Sequence, residues 1–150
     1  MTEAYVVDAS VVLRWYLDQV GYEHARRVRD AFVVGAVRLE APEILRWEVG
    51  NQLRKKGVAT GRLAEEDALR ALTDLDDLGA VVHDFGLDDL LVVTRLSIRE
   101  GISMFDAAYV LLALRTGLTL LTAGARLVNA VSSLISTELL RGIGSPTLDP

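Results

Sequence analysis

The chain of 150 residues contains no cysteine, which removes disulfide frameworks and thiolate metal sites together. It has no apolar run approaching the roughly 20 residues of a membrane span. The longest, residues 107–114, covers little more than two helical turns. No basic-then-apolar leader opens it, since Met1-Thr2-Glu3 runs directly into Tyr5-Val6-Val7. A cytoplasmic, soluble protein with no membrane association is therefore expected. The chain also lacks a basic excess: 16 Lys and Arg against 21 Asp and Glu give a net charge of −5. That argues against holding nucleic acid through an overall field. It leaves room for local basic clusters such as Arg26-Arg27-Val28-Arg29 and Arg54-Lys55-Lys56, which also read as ordinary solvated helix faces. Internal repeats and low-complexity tracts are absent as well.

About half the residues, 51%, are apolar, and mean hydropathy is +0.28. One domain with a substantial core is expected over residues 1–141, followed by a short loose tail at 142–150. Residues 4–7 form a short apolar strand, and Ser10 opens a helix carrying Val11, Val12, Leu13, Trp15, Tyr16 and Leu17. A second helix runs from Gly21 to about Val34, and a brief strand covers 37–39. Pro42 suits the first turn of a helix that continues to Lys56 and stops at Gly57. Further helices are expected over 63–78, 87–99, 104–115 and 126–131. Strands fall at 80–83, 118–122, and 134–135 or nearby. Strands alternating with helices imply an α/β fold with a parallel sheet covered on both faces.

Most acids sit on polar helix faces, but three do not. Asp8 ends the first buried strand, at the edge where open α/β sheets bind ligands; it also suits the cap of the helix that follows. Glu48 falls between Ile44 and Leu45 on a helical wheel, near the buried arc of Leu45, Val49 and Leu53. It either points inward or snorkels outward from the flank. Asp106 is the only ionisable group before Arg115 in a helix apolar on all sides, which predicts burial all round. Ser103 three residues earlier offers it a capping role too. Three carboxylates gathered to within about 5 Å repel by roughly 3 kcal/mol per pair at an effective dielectric near 20. Such a group must protonate or bind a cation. All-oxygen ligation, with no cysteine and no well-placed histidine, favours Mg²⁺ or Mn²⁺ over zinc. Those ions handle phosphate oxygens and activate water.

The stretches "VVDASVVLRW", "APEILRWEVGNQLRKKG", "GRLAEEDALRAL", "GISMFDAAYVLLAL" and "LLTAGARL" resemble, in order and spacing, PIN-domain ribonucleases of the VapC toxin type. The resemblance runs from Tyr5 to about Leu127. It implies a three-layer α/β/α sandwich of strand order 3-2-1-4-5, whose acidic pocket binds Mg²⁺ or Mn²⁺ and cleaves single-stranded RNA. It further implies a homodimer and a cognate antitoxin that occludes the pocket. Carried over by position, Asp8, Glu48 and Asp106 match three family acids that hold the ion directly or through its waters. Ser10 and Thr122 match hydroxyls beside the pocket. Metal-activated water would attack the scissile phosphate in line, leaving a 5′-phosphate and a 3′-hydroxyl. The fourth acid of the family pattern follows Thr-Ala, and here that position is Gly124. This departure leaves two expectations, an attenuated nuclease or a degenerate domain that binds RNA or an antitoxin without cutting. Asn129, one turn away, is a candidate to contribute an oxygen. Arg14, Arg54 and Lys55 are candidate RNA contacts, and Trp15 and Tyr16 serve either a dimer surface or the core.

Other chemistries fit less well. A dehalogenase-type phosphotransferase needs a second Asp at position 10, where this chain has Ser10. A receiver domain needs paired acids at the first strand end and a Lys after the last strand. A Ser-His-Asp hydrolase is excluded by the positions of His24 and His83. Gly142-Ile143-Gly144 is too short for a dinucleotide fingerprint.

Overall fold

In the computed structural model, which describes residues 2–144, a five-stranded sheet forms from short apolar segments. The strands are β1 (Glu3–Val7), β2 (Val37–Pro42), β3 (Val81–His83), β4 (Thr119–Thr122) and β5 (Thr137–Leu139). Every pairing is parallel, and the order is β3-β2-β1-β4-β5. Position in the sheet accounts for composition. Val6 and Val7 on central β1, and Leu120 and Leu121 on β4, are buried, whereas Val81 and Val82 on edge strand β3 are exposed. Central parallel strands are covered on both faces and run largely apolar; on β2 the buried Glu40 is accommodated by pairing with Arg38 and His83.

The helices are α1 (Ala9–Leu13), α2 (Tyr22–Val33), α3 (Ile44–Gln52), α4 (Glu65–Asp77), α5 (Leu87–Glu100), α6 (Met104–Thr116) and α7 (Ala125–Val131). Right-handed crossovers send α1 to α4 to one face of the sheet and α5 to α7 to the other. The packing agrees, with α1 on α3, α3 on α4 and α5 on α6, while α6 spans β1, β2 and β4. Strand order reverses at β1 and β4, which makes their carboxyl ends the switch point of the sheet.

Several local expectations are corrected. Pro42 ends β2 rather than opening a helix, and at a strand end its missing N–H costs the ladder nothing. The helix expected to stop at Gly57 instead widens into a π-helical turn over Leu53–Val58, with Ala59 N–H donating to Arg54 O at 2.9 Å. The first helix is one short segment; turns carry Trp15 and Tyr16 on, and Trp15 Nε1 donates to Ala25 O at 3.0 Å. Those two residues belong to the core rather than to an outer surface. The last strand lies at Thr137–Leu139, because the chain after α7 is still turning at Leu134, whose N–H donates to Val131 O. The α6 helix is buried through its middle, yet Met104, Phe105 and Leu114 are exposed. Its first turn rises above the carboxyl edge of the sheet. Of the tail, Ile143 packs against the core, and residues 145–150 lie outside the described residues.

Candidate active site

Asp8 leaves β1 at the switch point and caps α1, as its position predicts. Its Oδ1 accepts from Ser10 N at 3.1 Å, Val11 N at 3.3 Å and the Ser10 hydroxyl. Capping accounts for that oxygen only. The second, Oδ2, accepts from Thr122 Oγ1 at 2.5 Å, across to β4. The two hydroxyls also secure the turn after β4. Ala123 N donates to Ser10 Oγ at 2.9 Å, and Gly124 N donates to Thr122 Oγ1 at 3.0 Å. Ser10 and Thr122 thus bind the two central strand ends together through one buried carboxylate, itself 5% exposed.

Glu48 is half-buried on α3, and its Oε1 accepts from Tyr109 Oη on α6 at 2.7 Å. Tyr109 is wholly buried, so this bond fixes one oxygen of Glu48 against a rigid helix. Asp106 sits half-buried in the first turn of α6. Its N–H donates to Ser103 Oγ at 3.0 Å, so the capping role exists alongside a carboxylate near the switch point.

The electrostatics couple the three. Burial pushes the Asp8 carboxyl above the usual range; the Ser10 and Thr122 hydroxyls pull it back, and the charge of Asp106 adds to the rise. Burial likewise raises Glu48, with the Tyr109 bond opposing and the charges of Asp8 and Asp106 reinforcing. Asp106 is raised by burial and lowered by Ser103. Each carboxylate therefore resists ionisation where it stands. Among the described residues no three His, Asp or Glu side chains converge tightly enough to enclose one ion. The acids communicate through the field rather than by contact. In donor chemistry the three are all carboxylate oxygens, which suit a hard cation such as Mg²⁺ rather than zinc.

Gly124 is the N-cap of α7 and brings no side chain to it. Arg14 donates to Ser10 O at 2.8 Å and Val20 O at 2.7 Å, so two of its donors are committed to backbone. Arg54 and Lys55 lie exposed on the π-helical turn, with Arg54 donating to Asn51 Oδ1 at 3.1 Å. Asn129 is exposed on α7. Sequence reasoning missed Tyr109, because a tyrosine in an apolar helix reads as core and its hydroxyl partner lies 61 residues away. It also passed over Trp47, which is opposite the buried arc of α3 and 72% exposed.

Residues 5–132 match the family model of the PIN domain. Over 133 residues the chain is 31% identical to ribonuclease VapC3 of Pyrobaculum aerophilum, covering 87% of this chain and 97% of that protein. Two crystal structures share the fold. PAE2754 from Pyrobaculum aerophilum aligns with a TM-score of 0.64 at 24% identity, over 91% of this chain and 92% of that one. The sarcin-ricin loop cleaving toxin VapC20 of Mycobacterium tuberculosis aligns at 0.67 with 13% identity, over 84% and 94% respectively.

Proposed function

The chain belongs to the PIN-domain family, in its VapC ribonuclease branch, and from that premise we propose a divalent-metal-dependent endoribonuclease acting on single-stranded RNA, the toxin of a toxin–antitoxin pair. The observation that carries this reading is the set of carboxylates Asp8, Glu48 and Asp106, delivered from three segments to the switch-point edge and all raised above their ordinary pKa. Charge assembled at that cost is relieved by a cation. A bound Mg²⁺ or Mn²⁺ would supply an acidified water and neutralise phosphate charge.

The chain's own residues do the rest. Ser10 and Thr122 hold Asp8 in one rotamer by hydrogen bonds to both of its oxygens. Tyr109 orients Glu48 by donating to its Oε1. Asp106, like Glu48, is half-buried and is held in the first turn of α6 by the Ser103 cap. The missing side chain at Gly124 makes attenuation the expected condition of this enzyme, and the degenerate, non-cutting domain remains the second reading. The proposed protein partners are a cognate antitoxin and a second copy of the chain. Apolar side chains standing out along α5, among them Leu91 and Ile98 at 59% and 76% exposure, support a covered surface there. Action in the cytoplasm goes with this reading. Among the described residues no helix is long and apolar enough to cross a membrane.

Calorimetric titration with Mn²⁺ tests the proposal. Wild type should bind, and Asp106→Ala should bind at least about tenfold more weakly, since even outer groups at metal sites cost that much when removed. Equal binding by the two proteins would sink the nuclease reading.

A further inference from the structure

The outer side of a surface helix ordinarily carries polar residues, and α5 does the opposite. Leu87, Leu91 and Ile98 are 70%, 59% and 76% exposed. At about 100° per residue they fall within about 40° of one another, turned away from the side that buries Val93. This apolar stripe has a charged margin on one side only. Asp88, Arg95 and Arg99, all exposed, lie about 80° around the helix from it, again within about 40° of each other. Their order matters, since the acid stands in the first turn and both bases in the second half. Asp89, turned inward, is taken by Arg115. Among the described residues Asp88, Arg95 and Arg99 form no ion pair. On its other margin the stripe runs into an apolar groove of about 600 Å³, whose lining includes Leu87, Leu90, Trp47 and Phe105.

We propose that two copies of the chain pair antiparallel through α5 about a two-fold axis, and that the charged margin sets this orientation. The proposal rests on the second copy already named among the partners and adds the surface it takes and the register it adopts. In an antiparallel pair of identical helices, each margin meets the same margin of the other copy, running the opposite way. Setting Leu87 against Ile98 of the second copy brings Leu91 close to the axis. The same register places Asp88 between Arg95 and Arg99 of that copy, and the two-fold repeats the match. The helix dipoles then oppose each other as well. A helix of an unrelated protein would give this margin no reason to complement itself. The size also fits. Leu87, Leu90, Leu91, Ile98, Trp47 and Phe105, each about half exposed or more, present on the order of 700–800 Å² at the usual size of such side chains. A stable complex removes about 800 Å² from each partner.

Sedimentation velocity on the full chain at micromolar concentration tests the pairing. Wild type should sediment as a dimer, and Ile98→Glu as a monomer. One variant carries Asp88→Arg, and a second carries Arg95→Asp with Arg99→Asp. Each should raise the dimer dissociation constant about tenfold, because two symmetric attractions become repulsions. An equimolar mixture of these two proteins should regain wild-type dimerisation, since both margins are complementary again. All the substituted positions are exposed, so far-UV circular dichroism should match wild type throughout. A monomeric wild type would overturn the pairing and give the face to a different protein. A dimer indifferent to Ile98→Glu, or a mixture no tighter than its components, would overturn it too. Mn²⁺-dependent cleavage is read separately from assembly. Its absence would remove the nuclease reading and keep the pairing, whereas a failed mixture with cleavage present would do the reverse.

Discussion

Gly124 adopts φ −89° and ψ 96°, angles open to any L-residue, so the turn itself does not demand glycine. A Cβ built there would meet Leu127 Cβ and Thr122 Oγ1, each at 3.4 Å, a contact at the edge of ordinary packing. Gly124→Asp is therefore accommodated with little adjustment. As an N-cap, Asp gains only a few tenths of a kcal/mol over Gly, and in metal-free protein the new charge sits near Asp8. Melting without metal should stay level or fall slightly. With Mn²⁺ present, the variant should melt more than about 2 °C above wild type and cleave RNA faster. If Mn²⁺ shifts both proteins alike, the position lies outside the site. Asp8 invites a different substitution. Asp8→Asn removes the ligand charge and keeps one oxygen to cap α1 through Ser10 N and Val11 N, while its NH2 takes the place of the oxygen that accepts from Thr122.

The elements report their strain through their glycines and through one buried histidine. Gly57 sits in the π-helical turn under Leu63, and an added Cβ would lie 2.8 Å from Leu63 Cδ1. Gly50, in regular α3, would place its Cβ at an ordinary 3.5 Å from Leu72. In urea titrations Gly50→Ala should stabilise by roughly 0.5–1 kcal/mol from helix propensity. Gly57→Ala should destabilise by about 1 kcal/mol, overpacking outweighing the same gain. Stabilisation in both would mean Leu63 swings clear. His24 ties α2 to the segment after β5 by accepting from Arg141 N at 2.8 Å through Nδ1. Burial, then the Arg141 and Arg27 charges, lower its pKa, with Glu138 opposing. The folded state thus disfavours the imidazolium. Below about pH 6.5 the unfolded chain binds a proton that the folded chain refuses. The stability His24 contributes is complete above that pH and is lost as the pH falls toward the folded pKa. Between pH 7.5 and 5.5 the urea midpoint of wild type should therefore drop relative to His24→Gln; parallel profiles would exclude His24 as the cause.

At the scale of the whole molecule, a net charge of −5 provides no long-range attraction for RNA. Under the proposed function, affinity would come from short-range contacts rather than from the overall field. Toxicity in a cell is then the sharpest readout of catalysis, because one turnover destroys a substrate that weak binding alone would spare. Expressed in bacteria, wild type should slow growth and Asp8→Asn should not, at matched protein levels. Identical growth curves would favour the non-cutting domain.

The parallel α/β class and the order of the three acids were legible in the sequence, because strand and helix periodicity are local properties of the chain. Asp8 was readable as a strand-end acid for the same reason. The second bond of Asp8, to Thr122 across 114 residues, and that of Glu48 to Tyr109 across 61 were not. Such pairings depend on which strands become neighbours and which helix crosses above them. Burial of α6 was overestimated because a helical wheel does not know that the first turn rises past the sheet edge. The sequence determined which carboxylates are present and on which elements. Only the tertiary structure decided that no three of the described acids close on a point, that the backbone at Gly124 accepts a Cβ, and that Trp47 faces a groove rather than the core. Spacing, backbone angle and exposure are properties of the packed assembly, where distant segments set each other's surroundings.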